Sequence, residues 1–221
     1  MKALASGAGG LEFDVRRCGD GTLVVIHDET IDRTTNGKGR VRDFSYEQLK
    51  KVEAGFGEPI PRLSDVLDRF GGRCLLNVEL KEKDLAADVQ ALLIERGIEA
   101  DVFVSAFDRD DNDAGSTSSW KDLRELAPQI PIALLATRSK LSRVGTKEFI
   151  DLALQLEATA IHPEKSAEIG KLLTLAHDAR LRVHVWTVNE RDEIAHFRKI
   201  GVDGIFSDFP ERCKGVIDGS L

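Results

Sequence analysis

A chain of 221 residues with 42% hydrophobic composition can bury a full core, and with no Pro/Ser-rich linker it reads as one domain spanning 1–221. Its 31 basic and 38 acidic residues leave a formal net charge of −7, with no Lys/Arg block, which argues against a nucleic-acid surface but leaves room for a locally basic pocket. Cys18, Cys74 and Cys213 are odd in number and far apart, no apolar run approaches the ~20 residues that span a bilayer, and MKALASGAGG is too short and Gly-rich for a secretory signal; free thiols and a cytoplasmic location are the expectation.

Short apolar runs alternate with helix-period segments along the chain, the pattern of parallel β/α units. The strand candidates are GLEFDV (10–15), LVVIHD (23–28), CLLNVELK (74–81), DVFVSAF (101–107), IPIALLA (130–136), TAIHP (159–163), RVHVWTV (182–188) and VDGIFSD (202–208). Most are apolar on both faces, as strands covered on both sides must be. Between them, Ser45 and Gln48 form a capping box ahead of Leu49 and Val52, with Gly55 as the stop. Ser64 is expected to open SDVLDRF, and Asp84 to open DLAADVQALLIER, which Gly97 closes. Further helices are WKDLRELA (120–127), TKEFIDLALQLE (146–157), SAEIGKLLTLAHDAR (166–180) and ERDEIAHFRKIG (190–201).

Two regions break the rhythm. Asp28 to Pro61 is too long for a simple βα loop and reads as an inserted subdomain with its own helix. Asp108 to Trp120 is acidic and Ser-rich without core positions, and reads as a mobile loop.

The polar residues on the strands carry the chemistry. Glu12 and Asp14 lie two apart, so a strand points both carboxylates to one face, and Glu79 and Lys81 repeat that geometry. Other polar residues sit near strand ends: Ser105, Asp108, His162, Trp186, Asn189, Ser207 and Asp208. Barrel interiors are otherwise filled with apolar layers, so inward carboxylates near the carboxyl ends of strands need a partner. Glu12, Asp14 and Glu79 form an oxygen-rich set suited to a hard divalent cation, Mg²⁺ or Ca²⁺, with Lys81 beside it as a point charge for an anionic substrate. The alternative is a set of internal salt bridges, Glu79 with Lys81 for instance. His27, following the apolar run LVVI, could by itself be a capped core residue. Together with the carboxylates it supplies an imidazole for proton transfer, and the set has the parts of a phosphate-ester-cleaving site.

In order along the chain, GAGGLEFDVRRCGDGTLVVIHDETIDRTTNGKG (7–39), PIPRLSDVL, LLNVELK, VSAFD, AIHP, VHVWTVN and GVDGIFSDFP resemble the glycerophosphodiester phosphodiesterase family. The combination of E-x-D, H-D-x-x-x-D-R-T-T-N-G and E-x-K is highly specific. The resemblance implies an α/β fold, a (β/α)₈ TIM barrel with a small insertion after the second barrel strand, here Arg16 to about Pro61. It implies Glu12, Asp14 and Glu79 as metal ligands, His27 as one of two catalytic histidines, Lys81 as a phosphate-binding residue and Trp186 as lining the glycerol end of the pocket. The activity implied is metal-dependent hydrolysis of a glycerophosphodiester, such as glycerophosphocholine or glycerophosphoethanolamine, to sn-glycerol 3-phosphate and an alcohol.

Family members begin with a strand ending in His-Arg-Gly and a helix starting Glu-Asn-Thr, whereas MKALASGAGG matches the tail of that helix. None of His162, His177, His184 and His196 lies in the matching position. The expectation is an N-terminally truncated barrel lacking its first βα unit, about 30 residues short of the ~250 typical of the fold. Its activity is expected to be impaired, and its open edge rearranged, covered by a second copy of the chain, or left unpaired. The competing functions are cleavage of lysophospholipid headgroups and non-catalytic binding of phosphodiesters.

Overall fold

The computed structural model describes residues 2–107, 129–166 and 168–219. Eight strands form one sheet: β1 (Gly10–Arg17), β2 (Leu23–Val25), β3 (Leu75–Leu80), β4 (Val102–Phe107), β5 (Ile132–Ala136), β6 (Ala160–Pro163), β7 (Arg182–Val185) and β8 (Gly204–Ile205). Their order is β2-β1-β3-β4-β5-β6-β7-β8, and every pairing is parallel except β1 with β2.

The alternation in the sequence decides which side chains go where. On β3, Leu76, Val78 and Leu80 point outward into a core shared with Leu63 and Leu67 of the helix Leu63–Phe70 and with Val89 and Leu93 of the helix Ala86–Arg96. Leu134, Ile161 and Val183 play the same part on β5 to β7, against Phe149, Leu172 and Phe197 of the helices Thr146–Gln155, Ile169–Asp178 and Arg191–Ile200. Facing the other way, Phe103, Ala133 and Ala160 form a small interior cluster. The sheet curls, so that Glu12 and Asp14 of β1 and residues just beyond β7 and β8, Trp186 and Phe206, line one cavity. It does not close by pairing among the described residues: β8 pairs only with β7, and the Gly10–Asp14 part of β1 has a strand partner on one side only.

The hairpin partner β2 is shorter than the sequence suggests, and antiparallel. Its ladder runs from Arg17↔Leu23 to Val15↔Val25, and one further bond, from Ile26 N–H to the Asp14 carbonyl at 2.9 Å, holds the chain before it leaves the sheet. His27, expected within the strand 23–28, therefore sits in the loop beyond β2. The segment that follows has a small core of its own, built from Cys18, Val24, Ile26, Ile31, Val41, Leu49 and Ile60.

Several helix ends differ from expectation. The Ser45–Gln48 box is present, with Gln48 Oε1 accepting the Ser45 N–H at 2.8 Å, but the helix is one turn, Tyr46–Leu49. Val52 packs beyond it on the small core. Helix Leu63–Phe70 begins before Ser64: the extended Arg62 holds the cap position, its carbonyl accepts from Val66, and its guanidinium pairs with Asp65. Asp84 does not open the next helix. It is left-handed, at φ 60°, and its carbonyl takes a hydrogen bond from Arg17, while the fully buried Leu85 anchors the start. Among the described residues two α-helices were not anticipated: Arg138–Val144, whose Thr137 cap accepts from Lys140 N–H at 3.1 Å, and Pro210–Asp218, opened by its proline. The expected helix WKDLRELA and the loop Asp108–Trp120 lie outside the described residues. Among the described residues no helix is long and apolar enough to cross a membrane.

Candidate active site

Parallel pairing of β1 with β3 brings the charged residues together. Glu12 is in register with Asn77 and Asp14 with Glu79, and the ladder continues as Lys81 N–H bonds the Val15 carbonyl at 3.2 Å. One oxygen from each of Glu12, Asp14 and Glu79 lies within 4.8 Å of the others. Lys81 Nζ is 3.2 Å from Asp14 Oδ1 and pairs directly with Glu79, both side chains being buried. The internal salt bridge and the converging carboxylates thus coexist.

Three carboxylates and one ammonium leave an excess of negative charge. Burial first, then repulsion from Asp14 and Glu79, pushes the Glu12 carboxyl up to about 8. Glu12 is open to solvent inside the cavity yet surrounded by protein on its other sides. Glu79 is also raised, chiefly by burial. For Lys81, burial opposes the charge, but Glu79 and Asp14 outweigh it and raise the ammonium. Three carboxylates converging at one point favour a counter-cation, and the donor set fits a hard divalent cation.

His27 faces the same cavity, of about 920 Å³, from the loop after β2. Its Nδ1 is 2.7 Å from Asp28 Oδ1, and Arg33 grips that carboxylate from the other side, with Nε to Oδ2 at 2.6 Å and Nη2 to Oδ1 at 2.9 Å. The Arg33 hydrogen bonds hold the Asp28 carboxyl well below the usual range, so it is a fixed anion that orients the ring. Trp186 forms another wall. Its ring meets Phe107 edge to face at 5.8 Å, and its Nε1 donates to the His162 carbonyl at 2.6 Å.

Residues 1–212 match the glycerophosphoryl diester phosphodiesterase family. The chain belongs to this family. It is 36% identical over 229 residues to a glycerophosphodiester phosphodiesterase of Caldanaerobacter subterraneus subsp. tengcongensis, covering 98% of this chain and 88% of that protein. A glycerophosphodiester phosphodiesterase of Bacillus altitudinis is 35% identical over 231 residues, covering 96% and 87%. Among solved structures, the glycerophosphodiester phosphodiesterase of Agrobacterium tumefaciens superposes with a TM-score of 0.78 at 27% identity, covering 97% of this chain and 90% of that one. The fold is thus the TIM barrel of the glycerophosphodiester phosphodiesterases, with the open edge described above.

Within this phosphodiesterase fold the other polar strand residues do not reach the cavity as a group. Ser105 is buried and takes a hydrogen bond from Asn77 Nδ2 at 3.0 Å. Asn189, Ser207 and Asp208 satisfy one another: Asn189 Oδ1 accepts from Ser207 Oγ and Asp208 N–H, and its Nδ2 donates to Asp208. His162 is on the cavity wall but buried, its Nε2 3.0 Å from His184 Nδ1, and burial followed by the neighbouring His184 keeps it well below an ordinary imidazole. Asp108 lies outside the described residues.

Sequence reasoning missed several residues of this candidate site: Asp28 and Arg33, which orient the His27 ring from outside the cavity, and Arg138, Ser142 and Glu164, which line it. Asp28 and Arg33 were in view within H-D-x-x-x-D-R. Arg138 and Glu164 follow β5 and β6 with no residue pattern to distinguish them from ordinary loop polar groups, and meet only in the fold, where Arg138 N–H donates to Glu164 at 2.8 Å.

Proposed function

We propose that this chain is a cytoplasmic hydrolase that cleaves glycerophosphodiesters, such as glycerophosphocholine and glycerophosphoethanolamine, to sn-glycerol 3-phosphate and an alcohol. The observation that carries this reading is the meeting of Glu12, Asp14, Glu79, Lys81 and His27 in one cavity. Its relatives bear the name of this activity over nearly the whole chain.

Glu12, Asp14 and Glu79 would hold one divalent cation, Mg²⁺ or Ca²⁺, which when bound supplies charge stabilisation for a phosphoryl oxygen. Lys81 has its ammonium fixed between Asp14 and Glu79, so it offers positive charge to the phosphate without reorganising. His27 transfers a proton; its Nδ1 is turned to Asp28, which leaves Nε2 as the exchanging atom. Trp186, with Phe107, gives the apolar wall against which the glycerol end of the substrate packs.

Turnover by this chain is proposed to be slow, because acid/base work at a leaving alcohol uses a pair of proton carriers. Among the described residues His27 is the only exposed imidazole lining the cavity, His162 being buried and bonded to His184. The same observation favours a second reading, binding of phosphodiesters without turnover. The deciding experiment incubates the purified chain with glycerophosphocholine and Mg²⁺ or Ca²⁺ and follows choline and sn-glycerol 3-phosphate. Equimolar release of both supports hydrolysis. Calorimetric binding of glycerophosphocholine without release supports the second reading, and neither binding nor release with either metal overturns both.

A further inference from the structure

Beyond the Ile26 N–H bond to the Asp14 carbonyl, a buried arginine ties the loop that carries His27 to the strands bearing the proposed metal ligands. Arg16 lies two residues beyond Asp14 on β1, on the same side of the strand, and is only 9% exposed. Its Nε donates to the His27 carbonyl oxygen at 2.9 Å, and its Nη1 to Glu82 Oε1 at 3.2 Å. The other oxygen of Glu82 accepts the Arg17 N–H at 3.2 Å. Glu82 directly follows Lys81. One guanidinium, carried by the strand that supplies Glu12 and Asp14, thus touches both the residue after Lys81 and the main chain of His27.

A largely buried guanidinium paired with a partly exposed carboxylate is a poor choice if the only task is to fill space, since apolar residues of similar volume do it at lower cost. The rigid fork of Arg can reach two acceptors in different directions at once, which a Lys ammonium on a flexible stem does not reproduce. The position of an imagined proton acceptor relative to the carboxylates depends on two things, the ring's rotation and the location of its backbone. Asp28 and Arg33 fix the first through Nδ1. Arg16 and Glu82 address the second.

We infer that Arg16, held by Glu82, is a positioning residue for His27, fixing the imidazole-bearing backbone against the β1 and β3 strands. It does not touch the reacting atoms, and the inference rests on the reading of His27 as the proton carrier. Loss of a fixed position costs catalysis more than binding, because displacements of about 1 Å in reacting groups can cost as much as ~10²-fold.

The test is a double-mutant cycle on the full chain, with glycerophosphocholine and Mg²⁺ measured in single turnovers with protein in excess. Arg16→Lys keeps the charge. It should lower the rate by about tenfold and leave half-saturation and Mg²⁺ affinity within about twofold. Added to His27→Ala it should cost nothing more, because there is no imidazole left to position. Glu82→Gln should show the same pattern with a smaller loss, and serves in place of Arg16→Lys if that variant fails to fold. In ¹⁵N-histidine spectra the His27 ring signals should broaden or double in Arg16→Lys while those of His162 and His184 stay in place. A loss that multiplies onto that of His27→Ala, or a rate within about twofold of the parent in both Arg16→Lys and Glu82→Gln, overturns the positioning role. A neutral His27→Ala overturns the reading of His27 itself, a separate result that removes the inference with it.

Discussion

Asp14 and Glu79 are register partners on neighbouring parallel strands, and the Lys81 ammonium bridges them. Register puts the two carboxylates side by side without any loop having to choose a conformation, so the acidic set is a property of the sheet. Glu79→Gln should therefore leave the fold intact while removing one of the three proposed anionic ligands. Isothermal titration with Mg²⁺ or Ca²⁺ should show affinity falling by about 10–100-fold, within the range seen when support for a metal site is lost. Unchanged affinity would place the cation elsewhere.

The raised Glu12 carboxyl gives a pH dependence with a definite sign. In the unfolded chain the proton leaves near the ordinary 4.5, and in the folded chain at about 8. The stabilisation from holding that proton is fully present below 4.5 and is lost as pH rises through about 8. The melting temperature of metal-free protein, after comparison with Glu12→Gln to subtract other groups, should fall across that window. Mg²⁺ should recover more stability at the alkaline end, and binding near neutrality should release a proton, detectable by calorimetry in buffers of different ionisation enthalpy. A Glu12-dependent slope of the opposite sign would show the carboxylate ionised throughout.

His27 is held to a catalytic standard by kinetics. His27→Ala should lower kcat by ~10²–10⁴-fold with little change in KM, since proton transfer acts in the transition state. Asp28→Asn, which keeps an oxygen near Nδ1 but removes the anion gripped by Arg33, should give a smaller loss of the same kind. A loss of less than about tenfold in His27→Ala would make the residue structural.

If turnover is slow for want of a second proton carrier, free imidazole should accelerate it. Rates in ~0.1 M imidazole, at fixed pH and ionic strength, should rise several-fold with glycerophosphocholine, whose choline leaving group needs a proton. No acceleration at any imidazole concentration would mean the site already contains its full acid/base complement.

On the proposed reading, Trp186 contributes surface more than chemistry. Trp186→Phe, which keeps an aromatic wall beside Phe107 but loses the hydrogen bond to the His162 carbonyl, should raise KM by a few-fold with kcat nearly unchanged. A selective fall in kcat would instead put Trp186 in contact with the reacting phosphate.

The local patterns of the chain determined a great deal. Alternation on a strand is a two-residue rule, so Glu12 with Asp14 and Glu79 with Lys81 had to share faces once LEFDV and NVELK were strands. The family resemblance then supplied their order and the barrel. Caps were less legible, because a helix start is set by which residue the core anchors: Leu85, buried beneath the sheet, displaced the better capping residue Asp84. Short-range rules also say nothing about who satisfies whom at a distance. Ser105, Asn189, Ser207 and Asp208 looked available at strand ends, but the fold pairs them with Asn77 or with each other. Arg16 and Glu82, 66 residues apart, looked like ordinary charged positions, and only parallel pairing of β1 with β3 brings them together beneath the His27 carbonyl. Periodicity therefore determined which faces are polar, whereas tertiary structure decided which polar groups meet, since a hydrogen bond depends on distances that loop closure and strand register set and that no local spacing encodes.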